Sequence, residues 1–167
     1  AEYLELKNMF NDIDGLRASA SLPYLSEIVK FRGMKLLDGG CTDRIPLKAF
    51  QSMGFDINIV VMTKPRTHKV KDADAWLAPL VYRNYPNFYK AFQASSIEYE
   101  RTQRYIDEQE QLGKVFVIRP NQKINLGRLS RNKDKIQRAY DMGLMDAGQK
   151  MPYLKNWLKE KGVLLRP

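Results

Sequence analysis

The run Ile57–Thr63 (INIVVMT) limits the fold more than any other feature of the chain. It is apolar, rich in β-branched residues and too short for an ordinary helix. Such a run reads as a strand buried on both faces, the condition of strands in helix-covered parallel sheets. A second one, Val115–Ile118 (VFVI), follows Gly113. Upstream, Asp14–Leu22 (DGLRASASL) is a short helix candidate, with Asp14 as its cap and Pro23 as its stop. Two short apolar runs come next, Ile28–Phe31 and Met34–Leu37, separated by Arg32-Gly33. They read as a tight hairpin whose turn uses a positive φ at Gly33. Ile45–Met53 reads as a helix with Pro46 in its first turn and Gly54 just past its end. Strand, glycine-rich turn, helix and buried strand in that order define the α/β class.

With 167 residues and 19.4 kDa the chain has the size of one domain or the larger part of one. A compact chain of this length buries roughly 70% of its unfolded surface, so folding demands neither metal nor disulfide. A single cysteine excludes an internal disulfide framework and fits a reducing compartment. One histidine, His68, together with Cys41 falls short of any ordinary zinc site. No apolar run approaches the ~20 residues of a membrane span. The first residues, AEYLELKNMF, show no signal-peptide pattern, and Ala1 is not an initiator methionine.

Two further helices are expected, over Ala73–Asn84 and Asn87–Leu112, with Pro86 between them. In the second, Phe88, Phe92, Ser96, Tyr99, Gln103 and Ile106 recur at steps of three and four and make one face. The tail reads as two helices, about Asp134–Met142 and Asp146–Lys161. Composition changes after VFVI: Arg119 to Arg138 holds seven basic residues and one acid. The expected organisation is therefore an α/β body over 1–118 with a basic helical extension over 119–167 packed on it.

The sharpest local signal is LLDGGCTDRIP, residues 36–46. Asp38 ends a strand and is followed by Gly39 and Gly40, and α/β folds place active sites outside the carboxyl ends of their strands. Two glycines give the backbone freedom and let another segment approach closely. A carboxylate held there can act as a general base. The structural alternative is a turn, with Asp38 as an ordinary turn residue.

Several separated segments together resemble the C-terminal half of a patatin-like phospholipase of the bacterial kind. They are LRASASLPYL, a short hairpin, LLDGGCTDRIPLKAF, the INIVVMTKPR strand and the tail VFVIRP with LGRLSRNKDKIQRAYDMGLMDA. The resemblance covers nearly the whole chain in order. It implies a three-layer α/β/α hydrolase fold and a serine hydrolase with a Ser-Asp dyad acting on acyl esters of lipids. In that family a Gly-x-Ser-x-Gly elbow presents the nucleophile, and an upstream glycine-rich loop forms the oxyanion hole. The Asp of Asp-Gly-Gly, here Asp38, takes the serine proton, and Gly39 and Gly40 shape its turn. No cofactor or metal is implied. The resemblance also implies a cytoplasmic protein, peripheral to a membrane if associated with one.

The chain departs from the family in one respect: it contains no Gly-x-Ser-x-Gly and no oxyanion glycine loop. Ser19 and Ser21 lack the flanking glycines and match a segment that packs near the site without supplying the nucleophile. The chain thus looks like the half that brings the base, is expected to be inactive alone, and has the N-terminal half of the catalytic domain as its expected partner.

Cys41 and His68 lack any local signature of a nucleophile pair, so Cys41 reads as a packed side chain and His68 as an exposed loop residue. The basic loop Lys64–Lys71 (KPRTHKVK) and the 119–138 stretch read first as solvated charge, and second as attraction to anionic phospholipid. Without a recognisable nucleic-acid motif, no nucleic-acid partner is expected. NYPNFYKAFQ reads as helix packing or, in a lipid hydrolase, as the wall of an acyl pocket. Trp76 and Trp157 read as anchors of their helices. Asp43 and Pro46 read as organisers of a helix start. The alternative function is a non-enzymatic basic α/β module that binds anionic surfaces or acidic partners.

Overall fold

The computed structural model describes residues 1–68, 75–124, 126–127 and 130–163. Lys69 and Lys71 of the basic loop, Ala73 at the expected helix start, and Arg128 lie outside the described residues. Helices combine with one antiparallel and one parallel strand pair, so the α/β class holds. The chain divides into two units, Ala1–Pro46 with Val70–Thr102, and Leu47–Lys69 with Gln103–Pro167. Residues 119–167 share the second unit with both parallel strands.

In the first unit, helix α1 spans Ile13–Ser19 and packs on the hairpin of β1 (Val29–Phe31) and β2 (Met34–Leu36). The strands pair antiparallel with Val29 opposite Leu36 and Phe31 opposite Met34. The connection is the expected Arg32-Gly33, but both residues take positive φ, 49° and 76°. Two positive values in a two-residue loop give the turn whose twist matches the strands. Arg32 is held in that conformation from outside the turn. Its guanidinium donates to Asp12 Oδ1 at 2.8 Å and to the Glu5 carbonyl at 3.1 Å, and lies 4.8 Å from the Phe31 ring centre.

The same Asp12 corrects the expected start of α1. Asp12, not Asp14, occupies the N-cap position, and the helix ends at Ser19. Asp14 sits in the first turn and pairs with Arg17 at 3.1 Å. Asp12 is buried, and its Oδ2 accepts the Lys7 and Asn8 N–H groups at 2.8 and 3.1 Å. Those backbone bonds and the Arg32 guanidinium hold its carboxyl below the ordinary carboxylate value. A lowered folded-state pKa contributes stability above the unfolded value of 3.8 and loses it as pH falls through the folded value. Asp12→Asn is thus expected to lower the melting temperature at pH 7. The gap from wild type should close as pH drops below about 4, a trend readable from thermal unfolding across that range.

A short 3-10 turn over Ala75–Leu77 leads into α3, Ala78–Val81. This is shorter than the expected Ala73–Asn84 helix, and Trp76 is 72% exposed, so among the described residues it is not the expected anchor. Tyr82, Phe88, Phe92 and Tyr24 form the aromatic cluster of this unit, with ring centres 4.9 to 6.2 Å apart. Through Phe88 and Phe92 the NYPNFYKAFQ segment packs within this unit, and Phe88 also lines the cavity beside Asp38. Helix α4 runs Pro86–Gln111, with residues to 102 counted in the first unit and the rest in the second. Its buried face uses Ser95, where the spacing pointed to Ser96. Ser95 is 1% exposed and accepts an Arg44 Nη2 hydrogen bond at 3.2 Å.

In the second unit, α2 covers Leu47–Ser52, and Gly54 follows it at φ 89°. Strands β3 (Asn58–Val61) and β4 (Val115–Ile118) pair in parallel, Asn58 with Val115 through Val61 with Ile118. Here the leading expectation fails in part: Val60 is buried, but Ile59 and Val61 are 43% and 70% exposed. The strand is covered on one face. The tail is likewise one helix, α5, over Lys133–Glu160, not two. Gly143, Gly148 and Pro152 lie inside it and would each weaken an isolated helix. Tertiary contacts offset that cost: Leu154 is buried, Trp157 Nε1 donates to the Gly113 carbonyl at 3.0 Å, and Asp146 accepts from Asn121 at 2.7 Å. Trp157, unlike Trp76, is an anchor.

Candidate active site

Two residues after β2, Asp38 caps a 3-10 turn over Gly39–Cys41. Its Oδ1 accepts the Gly40 N–H at 2.7 Å and its carbonyl accepts the Cys41 N–H at 3.0 Å. Its own N–H donates to the Ser21 carbonyl at 2.9 Å, which ties the RASASLP segment to the Asp-Gly-Gly turn. Oδ2 makes no hydrogen bond among the described residues. Asp38 is half-buried and lines a cavity of about 310 Å³ whose walls are largely apolar, including Leu4, Leu16, Leu37 and Phe88. Ser19, Lys35 and Thr42 contribute polar groups to the same lining. One carboxylate oxygen is thus pinned and the other is open to accept a proton.

The two glycines differ from their expected roles. Neither has a positive φ. A Cβ on Gly39 would meet nothing within 4 Å, whereas one on Gly40 would lie 3.1 Å from Asp38 Oδ1. Of the two, Gly40 is the one where an added Cβ would crowd a neighbour, and the group crowded is the carboxylate itself.

Asp43 behaves as an organiser of the turn: its Oδ1 accepts the Ile45 N–H at 3.2 Å ahead of α2, and its Oδ2 accepts the Tyr3 hydroxyl. Partial burial, with that bond and the Asp43 charge, pushes the Tyr3 hydroxyl up to about 12. Cys41 is buried in the first unit, and His68, whose N–H donates to the Pro65 carbonyl, belongs to the second. Among the described residues no cluster suited to a metal ion occurs, and no helix is long and apolar enough to cross a membrane.

Sequence spacing missed an ion-pair cluster in the second unit. Arg66 and Arg119, both counted above as solvated charge, converge on Asp107 and Glu110 with contacts of 2.7 to 3.7 Å. Arg119 is only 13% exposed. Asp107 and Glu110 at i and i+3 on α4 were the available signal, since that spacing places two acids on one helix face.

Fold and site together define an α/β protein that holds a carboxylate beside an apolar cavity. Residues 85–159, from the start of α4 into the end of α5, match a domain of unknown function, DUF6363. The chain is also similar to YjjU, an uncharacterized protein of Escherichia coli (strain K12), with 24% identity over 162 residues, 93% of this chain. The match takes in 44% of YjjU, so the chain spans less than half the length of that relative.

Proposed function

We propose that this chain supplies the general base of a patatin-like acyl-ester hydrolase, with Asp38 as that base and the serine nucleophile on a segment outside these residues. The observation that carries the reading is the Asp38 carboxylate: one oxygen fixed by Gly40, the other unpartnered, both beside a largely apolar cavity. In the reaction, Asp38 Oδ2 takes the proton as the serine Oγ attacks the ester carbonyl. The alcohol leaves with that proton, and a water activated by the same carboxylate releases the acid. The cavity accepts an apolar acyl chain, so the substrate class is a lipid ester, and the reaction needs no cofactor. A three-layer α/β/α body fits the half-bare β3, because parallel strands are ordinarily covered on both faces by helices. The cell compartment that suits such a protein is the cytoplasm, at a membrane face.

The test is hydrolysis of p-nitrophenyl acyl esters and labelling by a fluorophosphonate, run on the full-length gene product and on the 167-residue chain. Turnover and a labelled serine are expected in the first and neither in the second. A folded full-length product that neither turns over nor labels overturns the reading, as does turnover by the isolated chain that Asp38→Asn removes. Gly40→Ala is expected to lower turnover about tenfold or more, because the added Cβ displaces Oδ1 and small misplacements are costly in a reacting geometry. Gly39→Ala, with open space around it, should stay within about threefold. Equal losses for the two would break the link between Gly40 and the carboxylate.

A further inference from the structure

We propose that Arg44 is a positioning residue that aims the Asp38 carboxylate by holding the Gly40 carbonyl. That role presupposes the hydrolase reading, in which Asp38 is the base. Gly40 carries the N–H that pins Asp38 Oδ1 at 2.7 Å, yet it has no side chain to fix its own backbone. The peptide unit that follows Gly40 is fixed at both ends instead. Its carbonyl accepts Arg44 Nε at 3.1 Å, and its N–H, that of Cys41, donates to the Asp38 carbonyl at 3.0 Å. A planar peptide gripped at oxygen and at nitrogen resists rotation. The Gly40 N–H therefore stays aimed at one carboxylate oxygen, and the other keeps its place.

Arg44 can serve as that grip because α4 sets its own position. Nη2 of the same half-buried guanidinium donates to Ser95 Oγ at 3.2 Å, and the group lies 5.5 Å from the Tyr99 ring centre. Ser95 and Tyr99 are four residues apart on one face of α4 and are 1% and 7% exposed. A serine at a position that packing would give to an apolar residue needs a polar partner, and Arg44 is one. Two N–H groups on one rigid plane span a loop carbonyl and a helix hydroxyl. A lysine ammonium, compact and on a flexible stem, does not reproduce that span. Arg44 thus ties the Asp-Gly-Gly turn to a 26-residue helix. The lining of the cavity, as far as the described residues form it, does not include Arg44, so Arg44 acts through Asp38 and not on substrate.

The experiment is ester hydrolysis by the full-length gene product and its variants, with hydrogen exchange of the 38–44 turn followed by mass spectrometry. Arg44→Ala is expected to lower kcat about thirtyfold with KM within about twofold. Exchange in the turn should quicken at least about fivefold. Added methylguanidinium, which can occupy the space of the missing group, should raise the kcat of Arg44→Ala at least about fivefold, and sodium chloride at equal ionic strength should not. Arg44→Lys keeps the charge and should exceed Arg44→Ala by no more than about threefold. Ser95→Ala frees one end of the fork and should lower kcat about threefold. If Arg44→Ala does not fold, Arg44→Lys and Ser95→Ala decide the matter by the same readings. The idea is overturned by wild-type kcat in Arg44→Ala, by a loss carried in KM, by unchanged exchange in the turn or by no recovery with methylguanidinium. Full activity in Arg44→Lys would also overturn it, because charge alone would then suffice. A wild-type product that turns over no ester sinks the hydrolase reading, and the hold on the carboxylate is then decided by exchange: faster in Arg44→Ala supports it, unchanged removes it.

Discussion

Asp38→Asn in the full-length gene product is expected to lower ester turnover about a thousandfold while leaving the fold in place. Asparagine has the size of aspartate, and its side-chain oxygen can still accept the Gly40 N–H that Oδ1 accepts at 2.7 Å. The 3-10 turn over Gly39–Cys41 and the Asp38 N–H bond to Ser21 therefore remain. What is lost is the second oxygen, which becomes an amide nitrogen that donates protons and cannot take one. The loss should fall on kcat with KM little changed, because the cavity walls do not alter. Stability should shift by less than about 1 kcal/mol, the scale of one hydrogen-bond adjustment. Full activity in Asp38→Asn would remove this residue from the chemistry. Loss of activity together with loss of fold would reduce it to a turn residue, the structural alternative that the motif always carried.

The part of this site visible in the sequence is the part that is local. An acid at a strand end with two glycines behind it is written in consecutive letters, and so is the Arg32-Gly33 turn. β4 coincides with VFVI, and α4 differs from its expected limits by one residue at each end, because Pro86 and Gly113 mark those ends directly. The cavity is another matter. Its walls come from residues 1–6, 15–19, 35–42 and Phe88, and no period or motif links those stretches before the chain has folded.

The misreadings share a cause. Asp14 reads as the helix cap by spacing, but the helix starts two residues earlier, where the Asp12 carboxylate binds the Lys7 and Asn8 N–H groups and Arg32, twenty residues away. Gly143 lies in the break expected between Met142 and Asp146, but the helix runs through it without interruption to Glu160. INIVVMT states that a strand can be buried on both faces; whether neighbours exist to bury it is not a property of the strand. Trp76 shows the same limit from the other side, since a large apolar ring permits anchoring without requiring it.

Arg119→Ala is expected to destabilise the protein by about 2 kcal/mol, and Arg66→Ala by less than about 1, in urea unfolding. Both guanidinium groups reach the same two acids, so formal charge gives no reason for a difference. Burial does: Arg119 is 13% exposed and Arg66 57%. Arg119 Nη2 lies 2.7 Å from Asp107 Oδ1, while its Nη1 is buried without a hydrogen-bond partner, a desolvation cost that disappears with the side chain. Removing one partner of a fully buried pair costs about 3–5 kcal/mol, but Asp107 and Glu110 keep some exposure and Arg66 remains beside them at 3.2 and 3.0 Å. Those two facts bring the expected cost down to about 2 kcal/mol. The double variant strips both acids of their cations, so its loss should exceed the sum of the single losses. Equal effects of the two single variants would show that burial does not set the strength of this cluster. A negligible effect of Arg119→Ala would return Arg119 to the solvated charge that composition alone suggests.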